Sequence, residues 1–135
     1  MENKLKHLEM IQGIINRLAQ SSFLLKGWSV VLISALFALA AGGTQQLFIY
    51  LAYFPAIAFW VLDAYFLWQE RLYRALYDRV RKLEESQIDF AMSTKVVQDQ
   101  VSPWADVVTS KTLLIFHGTL LIAIIIVMLI AIIST

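Results

Sequence analysis

The sequence contains no cysteine and few charged residues, and both shortages limit what the protein can be. Without cysteine, disulfides, thiolate metal sites and thiol nucleophiles are excluded, and the redox compartment is left undetermined. Charged residues are 16% and hydrophobic residues 59% of the chain, against about 25% and about 45–50% in soluble domains. The net charge of +1 gives no reason to expect a nucleic-acid partner. This composition is typical of an integral membrane protein.

Enzyme motifs are also missing from the sequence. It has no dinucleotide-binding glycine motif, no P-loop, no zinc-protease motif and no hydrolase nucleophile elbow. Asp63 and Glu70 share a helix face, but two carboxylates without a third ligand are weak evidence for a metal. His7 stands alone on a polar helix, where we expect it to be solvated. We therefore expect no catalytic residue, no metal and no cofactor.

Three apolar runs are long enough to cross a bilayer, which takes about 20 helical residues. They cover residues 23–41, 47–68 and 112–133, and the first two form a hairpin around a short turn. The alanines of Ala38-Leu39-Ala40 resemble a signal-peptide cleavage site, but the polar stretch over 1–22 is long for the start of a signal peptide. The sequence therefore predicts an all-α integral membrane protein with three transmembrane helices.

All eleven basic residues lie on one side of these predicted spans. They come before or at the start of the first span, or between the second and the third, and the turn over 42–46 has none. The positive-inside rule then predicts a cytoplasmic amino terminus and an external carboxyl terminus. Because so little of the chain lies outside, an input from a partner should arrive from the cytoplasm or through the membrane.

Helical extensions are predicted on the cytoplasmic side. Residues 1–22 form an amphipathic helix with an apolar stripe at helical spacing, made of Leu5, Leu8, Ile11, Ile15 and Leu18. Residues 69–111 form a helix to about Glu85 followed by a loop, and the stripe of that helix is Leu72, Leu76, Val80 and Leu83. The two stripes should pack on each other or on neighbouring subunits. Alternatively, residues 1–22 lie flat among the lipid headgroups.

The helix after the second span also has a basic surface that a cytoplasmic partner could contact. Its members are Arg71, Arg74, Arg79, Arg81 and Lys82. Acidic residues one turn earlier, in the pairs Glu70–Arg74 and Asp78–Lys82, should support this helix. After the loop, Ser102 is expected to be the N-cap and Pro103 the first residue of a short helix.

Three ionisable residues, Lys26, Asp63 and His117, fall inside or at the edge of the predicted spans. At helical rise all three lie within about 10 Å of the cytoplasmic boundary. Charges inside a membrane are rare enough that each is a functional hypothesis. We expect Asp63 to pair with Lys26 or His117 between helices. The structural interpretation is a polar contact between helices, or a Lys26 that simply snorkels to the interface. The functional interpretation is a polar constriction or proton-sensitive latch in an oligomeric pore.

Two further features concern the packing of the spans. Ala35, Ala38 and Gly42 form a ridge of small residues that favours close helix packing, although they could equally be simple apolar filling. Pro55 should kink the second span and free a backbone carbonyl.

The chain resembles a family of small bacterial multi-span membrane proteins in FLLKGW at 23–28, ALFALAA at 35–41, YFP at 53–55 and FWVLDAYFLWQER at 59–71. More loosely, a membrane hairpin prolonged by a cytoplasmic helix is similar to the membrane effectors of bacterial antiphage defence systems. In those systems a cytoplasmic sensor triggers a membrane protein that permeabilises the inner membrane. This chain differs from those effectors, which have two spans, because it has a third predicted span over residues 112–133.

These observations lead to one principal hypothesis and two alternatives. The principal one is a homo-oligomeric effector in the bacterial inner membrane, whose extensions receive a cytoplasmic signal and whose spans then leak ions. The first alternative is a non-conducting anchor or adaptor that holds a soluble cytoplasmic sensor or enzyme through residues 69–111. The second is a small proton-coupled transporter that uses Asp63. The expected partners are the lipid bilayer, further copies of the chain and a soluble cytoplasmic protein.

Overall fold

The computed structural model describes residues 2–42 and 46–133, and no β-strand occurs in these two ranges. The α-helices are α1 (Glu2–Ala41), α2 (Leu47–Leu51), α3 (Tyr53–Lys82), α4 (Trp104–Val108) and α5 (Lys111–Ile133). Two 3₁₀ turns, Glu85–Gln87 and Lys95–Gln100, lie between α3 and α4. The all-α prediction is thereby confirmed for the described residues. Most of the predicted turn, 43–45, and the tail, 134–135, lie outside them.

Three stretches of helix are long and apolar enough to cross a membrane. They lie in α1, in the rod formed by α2 and α3, and in α5. With 40 residues, α1 is about 60 Å long, twice the thickness of a hydrocarbon core. It therefore has room for a span and for an extension of similar length.

The central helix of the bundle is α3, because α1, α4 and α5 all pack on it. It runs antiparallel to α1, so the early part of α1 meets the late part of α3. There Ile11 and Ile15 pack against Leu76 and Val80 in a buried cluster that we call the extension core. Ile11 and Ile15 of the predicted stripe thus pack on α3, whereas Leu5 stays 56% exposed.

The opposite end of the bundle has its own apolar core. Ile33 of α1, Ala52 and Ala56 at the start of the central rod, and Ile124 of α5 are buried together there. Small alanines on the central helix let the neighbouring helices approach it closely. All three candidate spans therefore meet in this core.

The rod formed by α2 and α3 is interrupted at Ala52, and Pro55 explains the interruption. Proline has no N–H to donate to the carbonyl of Leu51, and its ring clashes with that carbonyl. The helix restarts at Tyr53, which leaves Pro55 in the first turn of α3, where proline is tolerated. The break lies in the hydrogen bonding, because Ala52, three positions before the proline, keeps helical backbone angles of φ −64° and ψ −24°.

A lysine from the first turn of α1 ties down the end of α3. Lys4 Nζ donates hydrogen bonds to the carbonyl oxygens of Arg81, at 2.9 Å, and Leu83, at 2.7 Å. Carbonyls at a helix C-terminus lack partners within the helix and attract a cation. The helix ends at Lys82 because Leu83 has extended backbone, slightly earlier than the predicted end near Glu85.

The segment after α3 folds back over α1, and this makes the expectation of a solvated His7 wrong. The His7 side chain is only 3% exposed, and its Nε2 lies 3.2 Å from the carbonyl oxygen of Ala91. Ile88 and Val97 from the same segment enter the extension core. Because the segment has no clear periodicity, its path over the helix was not readable from the sequence.

The short helix α4 begins one residue later than predicted. Pro103, with an extended ψ of 160°, is its N-cap, and no side chain caps it. Ser102 therefore does not have the predicted capping role. Val107 of α4 is buried against Ala64 and Leu113, which holds the short helix against α3 and the start of α5.

Candidate functional site

The structure brings Lys26, Asp63 and His117 together in one cluster, the polar triad, with one residue from each candidate span. Asp63 comes from the central helix and its side chain is fully buried. Its Oδ2 atom lies 2.6 Å from Lys26 Nζ and 2.8 Å from His117 Nε2. A single carboxylate oxygen therefore links α1 and α5 to α3.

Ser22 completes the coordination of the carboxylate. Its hydroxyl donates a hydrogen bond to Oδ1 of Asp63, while Lys26 Nζ donates to the serine oxygen at 2.8 Å. Ser22 precedes Lys26 by four residues, so the two side chains lie on one face of α1. Both oxygens of Asp63 thus accept hydrogen bonds, as a buried carboxylate requires.

Aromatic rings enclose the imidazole of His117. The Trp60 ring stacks on it with a centroid distance of 5.8 Å and an interplanar angle of 12°, and the Phe116 ring meets it edge-on. Trp60 also donates its Nε1–H to the carbonyl oxygen of Val108 at 2.9 Å. The orientation of His117 is therefore linked to the segment that leads into α5.

The contact with Asp63 also shows which ring nitrogen of His117 donates. A carboxylate oxygen bonded in this way only accepts hydrogen bonds, so Nε2 carries a hydrogen and donates it to Asp63. The other ring nitrogen, Nδ1, is buried and has no hydrogen-bond partner among the described residues. Lys26 and Asp63 bring one positive and one negative charge to the triad.

The environment makes the triad costly to break. Lys26 is 21% exposed, and Asp63 and His117 are essentially buried. The Lys26 ammonium also lies 5.8 Å from the centre of the Phe116 ring, a contact that favours a cation. Removing Lys26 or Asp63 alone would leave an uncompensated charge in an apolar region. The arrangement can hold three helices together and can exchange a proton, but it contains no group of three metal-ligating side chains among the described residues.

The ridge of small residues faces away from the rest of the chain. Ala35, Ala38 and Gly42 are all exposed. A Cβ added at Gly42 would meet only the backbone of its own helix. Among the described residues, no other helix packs closely on the ridge, and its helix-packing role stays a prediction.

The predicted basic surface lies along α3 beside the extension core. Four of its five members are exposed, and Arg71 is partly buried. Arg74 pairs with Glu70 at 3.1 Å, as expected from their spacing. Asp78 contacts Arg81, at 3.6 Å, instead of the expected Lys82. Such exposed pairs contribute little stability, which leaves these cations available to a partner.

Two residues of the site, Ser22 and Trp60, were not predicted from the sequence. Ser22 lies just before the first apolar run, and its spacing of one helical turn from Lys26 was the available signal. Trp60 lies three residues before Asp63, within the same helical turn, but it was interpreted only as one of many aromatics in the span. No protein-family model, curated protein or solved structure matches the chain.

Proposed function

We propose that the chain is a homo-oligomeric protein of the bacterial inner membrane that lets ions cross the membrane after an input at its extensions. The observation that carries the proposal is the polar triad, a compact charged contact that joins all three candidate spans. Intramembrane charges of this kind usually serve a function. The resemblance to membrane effectors of antiphage defence implies the same activity.

The orientation in this proposal follows from the basic residues. The extension core, the basic surface of α3 and both ends of the 83–110 segment lie on the side that carries the lysines and arginines, which faces the cytoplasm. Exposed apolar side chains such as Phe23, Phe54 and Trp28 would then face lipid.

In the resting state the triad acts as a latch. The opposite charges of Lys26 and Asp63 pair, and both oxygens of Asp63 accept hydrogen bonds, so the three spans stay in contact. Beyond it, the core of Ile33, Ala52, Ala56 and Ile124 is apolar and offers ions no path through a single chain. Conduction therefore requires several copies, whose spans rearrange when the latch opens.

The test compares two carboxylate variants during expression in bacteria, with a dye that reports the membrane potential. Asp63→Asn leaves the Lys26 ammonium without its counter-charge, and we expect this variant to depolarise the membrane without any input. Asp78→Asn is the matched control, because Asp78 is an exposed carboxylate of the same helix with a weak surface pair. It should leave the potential unchanged.

The amount of each variant in the membrane fraction must be equal for this comparison. Ser22→Ala, which removes one hydrogen bond and no charge, should give a smaller depolarisation than Asp63→Asn. A membrane potential that stays normal with Asp63→Asn at wild-type protein levels would contradict the latch.

A non-conducting adaptor is the second candidate, and the exposed cations of α3 favour it. Arg79 and Lys82 are exposed and have no carboxylate partner among the described residues. An acidic surface of a soluble protein could bind there. Co-purification of such a protein in fixed ratio, together with no dye leakage from liposomes containing Asp63→Asn, would support the adaptor over the ion leak.

A further inference from the structure

A cavity of about 340 Å³ lies at the start of α1, far from the polar triad. Its lining residues are Asn3, Lys6, His7, Met10 and Phe90. Four of them come from successive turns of α1, and the fifth comes from the segment that folds back over this helix. The volume is within the range of small-molecule sites, which begins at about 300 Å³.

The aromatic wall of the cavity is held in an unusual conformation. Phe90 has a φ of 57°, in the left-handed region that a bulky residue rarely adopts and that occurs often at ligand clamps. The surrounding contacts fix this turn. The Ala91 N–H donates to Asp89 Oδ1 at 3.1 Å, the Ala91 carbonyl oxygen binds His7, and the Phe90 ring lies 5.3 Å from the His7 ring.

These contacts leave apolar surface at the mouth of the cavity. Phe90 is 42% and Met10 58% exposed. An aromatic face beside a thioether is a good surface for a flat ring. The strained turn therefore presents Phe90 where a planar molecule could stack on it.

The polar side of the cavity is positive. Lys6 has no carboxylate partner among the residues that the structure describes, and Asn3 adds an amide that can donate hydrogen bonds. None of the described residues that line the cavity is acidic. This combination favours an anionic group on the ligand.

The position of the cavity argues for a soluble ligand. His7 precedes Phe23 by sixteen residues of one continuous helix, or about 24 Å along its axis. The headgroup region extends only about 5–8 Å beyond the hydrocarbon. A lipid of the bilayer crossed by α1 would not reach the cavity.

We propose that this cavity binds a small soluble anion with an aromatic ring. The ring stacks on Phe90 beside Met10, and the anionic group contacts the Lys6 ammonium and the Asn3 amide. Binding to this site does not depend on the proposed ion leak. We also propose that this ligand is the input that starts the ion leak, and this second claim rests on the proposed function.

The test uses 2-naphthoate and the full-length protein in detergent micelles, with ¹³C-labelled histidine. The chain has only two histidines, so His7→Gln assigns their signals. We expect saturable 2-naphthoate binding to shift the His7 signals and leave those of His117, near the triad, unchanged. The neutral 2-naphthylmethanol and the non-aromatic cyclohexanecarboxylate should each bind at least fivefold more weakly.

Matched variants then test the two contacts separately. Lys6→Gln should raise the dissociation constant about five- to tenfold, whereas Arg17→Gln, which removes an exposed cation of the same helix away from the cavity, should not change it. Phe90→Leu should raise it about threefold or more. Equal shifts of both histidines, no shift of His7, or equal affinities of Lys6→Gln and Arg17→Gln would each overturn the site.

The dye assay in liposomes separates this site from the proposed function. If 2-naphthoate shifts His7 but starts no leak while Asp63→Asn leaks, the site stands and its role as the input is wrong. If 2-naphthoate shifts the His7 signals but neither the wild-type protein with 2-naphthoate nor the Asp63→Asn variant leaks dye, the site still stands and the proposed function fails.

Discussion

At the scale of single residues, Asp63 is the point on which the three long helices depend. Its Oδ2 atom is shared by Lys26 and His117, so loss of this carboxylate removes both links at once. A buried charge pair differs from a surface pair in one respect. Removing one partner is much more damaging than removing both, because the remaining charge is left in an apolar region.

This difference predicts a strong coupling between Asp63 and Lys26. Asp63→Leu alone should lower the free energy of unfolding by about 3 kcal/mol. In the double variant Asp63→Leu with Lys26→Met, part of that loss should be recovered, because no unpaired charge remains, although the buried His117 Nε2–H still lacks its acceptor. Unfolding in mixed micelles with increasing dodecyl sulfate measures each variant. Additive losses in the double variant would show that the two side chains are not coupled.

Part of this site was accessible from the sequence. Counting helical rise from the span boundaries placed Lys26, Asp63 and His117 at one depth. It could not show that two of them share one oxygen, because that depends on how each helix is rotated about its axis. Ser22 and Trp60 were missed for the same reason, since their roles appear only when α1 and α5 face α3.

At the scale of elements, the interruption at Ala52 separates α2 from α3 and follows from Pro55. Pro55→Ala would supply the missing N–H and remove the clash with the Leu51 carbonyl. We expect α2 and α3 to merge into one helix. The new amide at position 55 should exchange its hydrogen slowly, because it can donate to the Leu51 carbonyl oxygen. Rapid exchange at position 55 would mean that packing, and not proline, causes the interruption.

The extension helices show why some elements are easier to predict than others. The stripes over 1–22 and 69–85 have clear helical periodicity, and their inner members form the extension core. The segment that follows has no such periodicity, and its path depends on long-range contacts such as those of Lys4 and His7. The burial of His7 and the cap on α3 therefore could not be predicted from local pattern.

At the scale of the whole molecule, the two ends of the bundle are expected to lie in different solvents. The extension core would unfold into water, whereas the far core of Ile33 and Ile124 would separate into lipid, which is as apolar as the side chains themselves. The same substitution should therefore have different consequences at the two ends.

Ile15→Ala and Ile33→Ala test this expectation, since both residues belong to α1 and are nearly fully buried. Ile15→Ala should lower the local free energy of opening by about 3 kcal/mol, through lost burial and a new cavity. Ile33→Ala should lower it by about 1 kcal/mol, because lipid replaces much of the lost contact. Hydrogen exchange at neighbouring amides, in protein reconstituted in bilayers, measures both. Equal losses would contradict a far core that lies in lipid.

The uninterrupted α1 has one more consequence, which concerns chain length. Each residue added to a helix turns everything before it by about 100° and moves it by about 1.5 Å. One extra residue between Ile15 and Ser22 would swing Lys4 away from the carbonyls that it caps. Seven extra residues nearly restore the rotation, but they also lift the amino-terminal end by about two turns. The extensions of α1 and α3 can therefore grow only together, and only by whole pairs of turns.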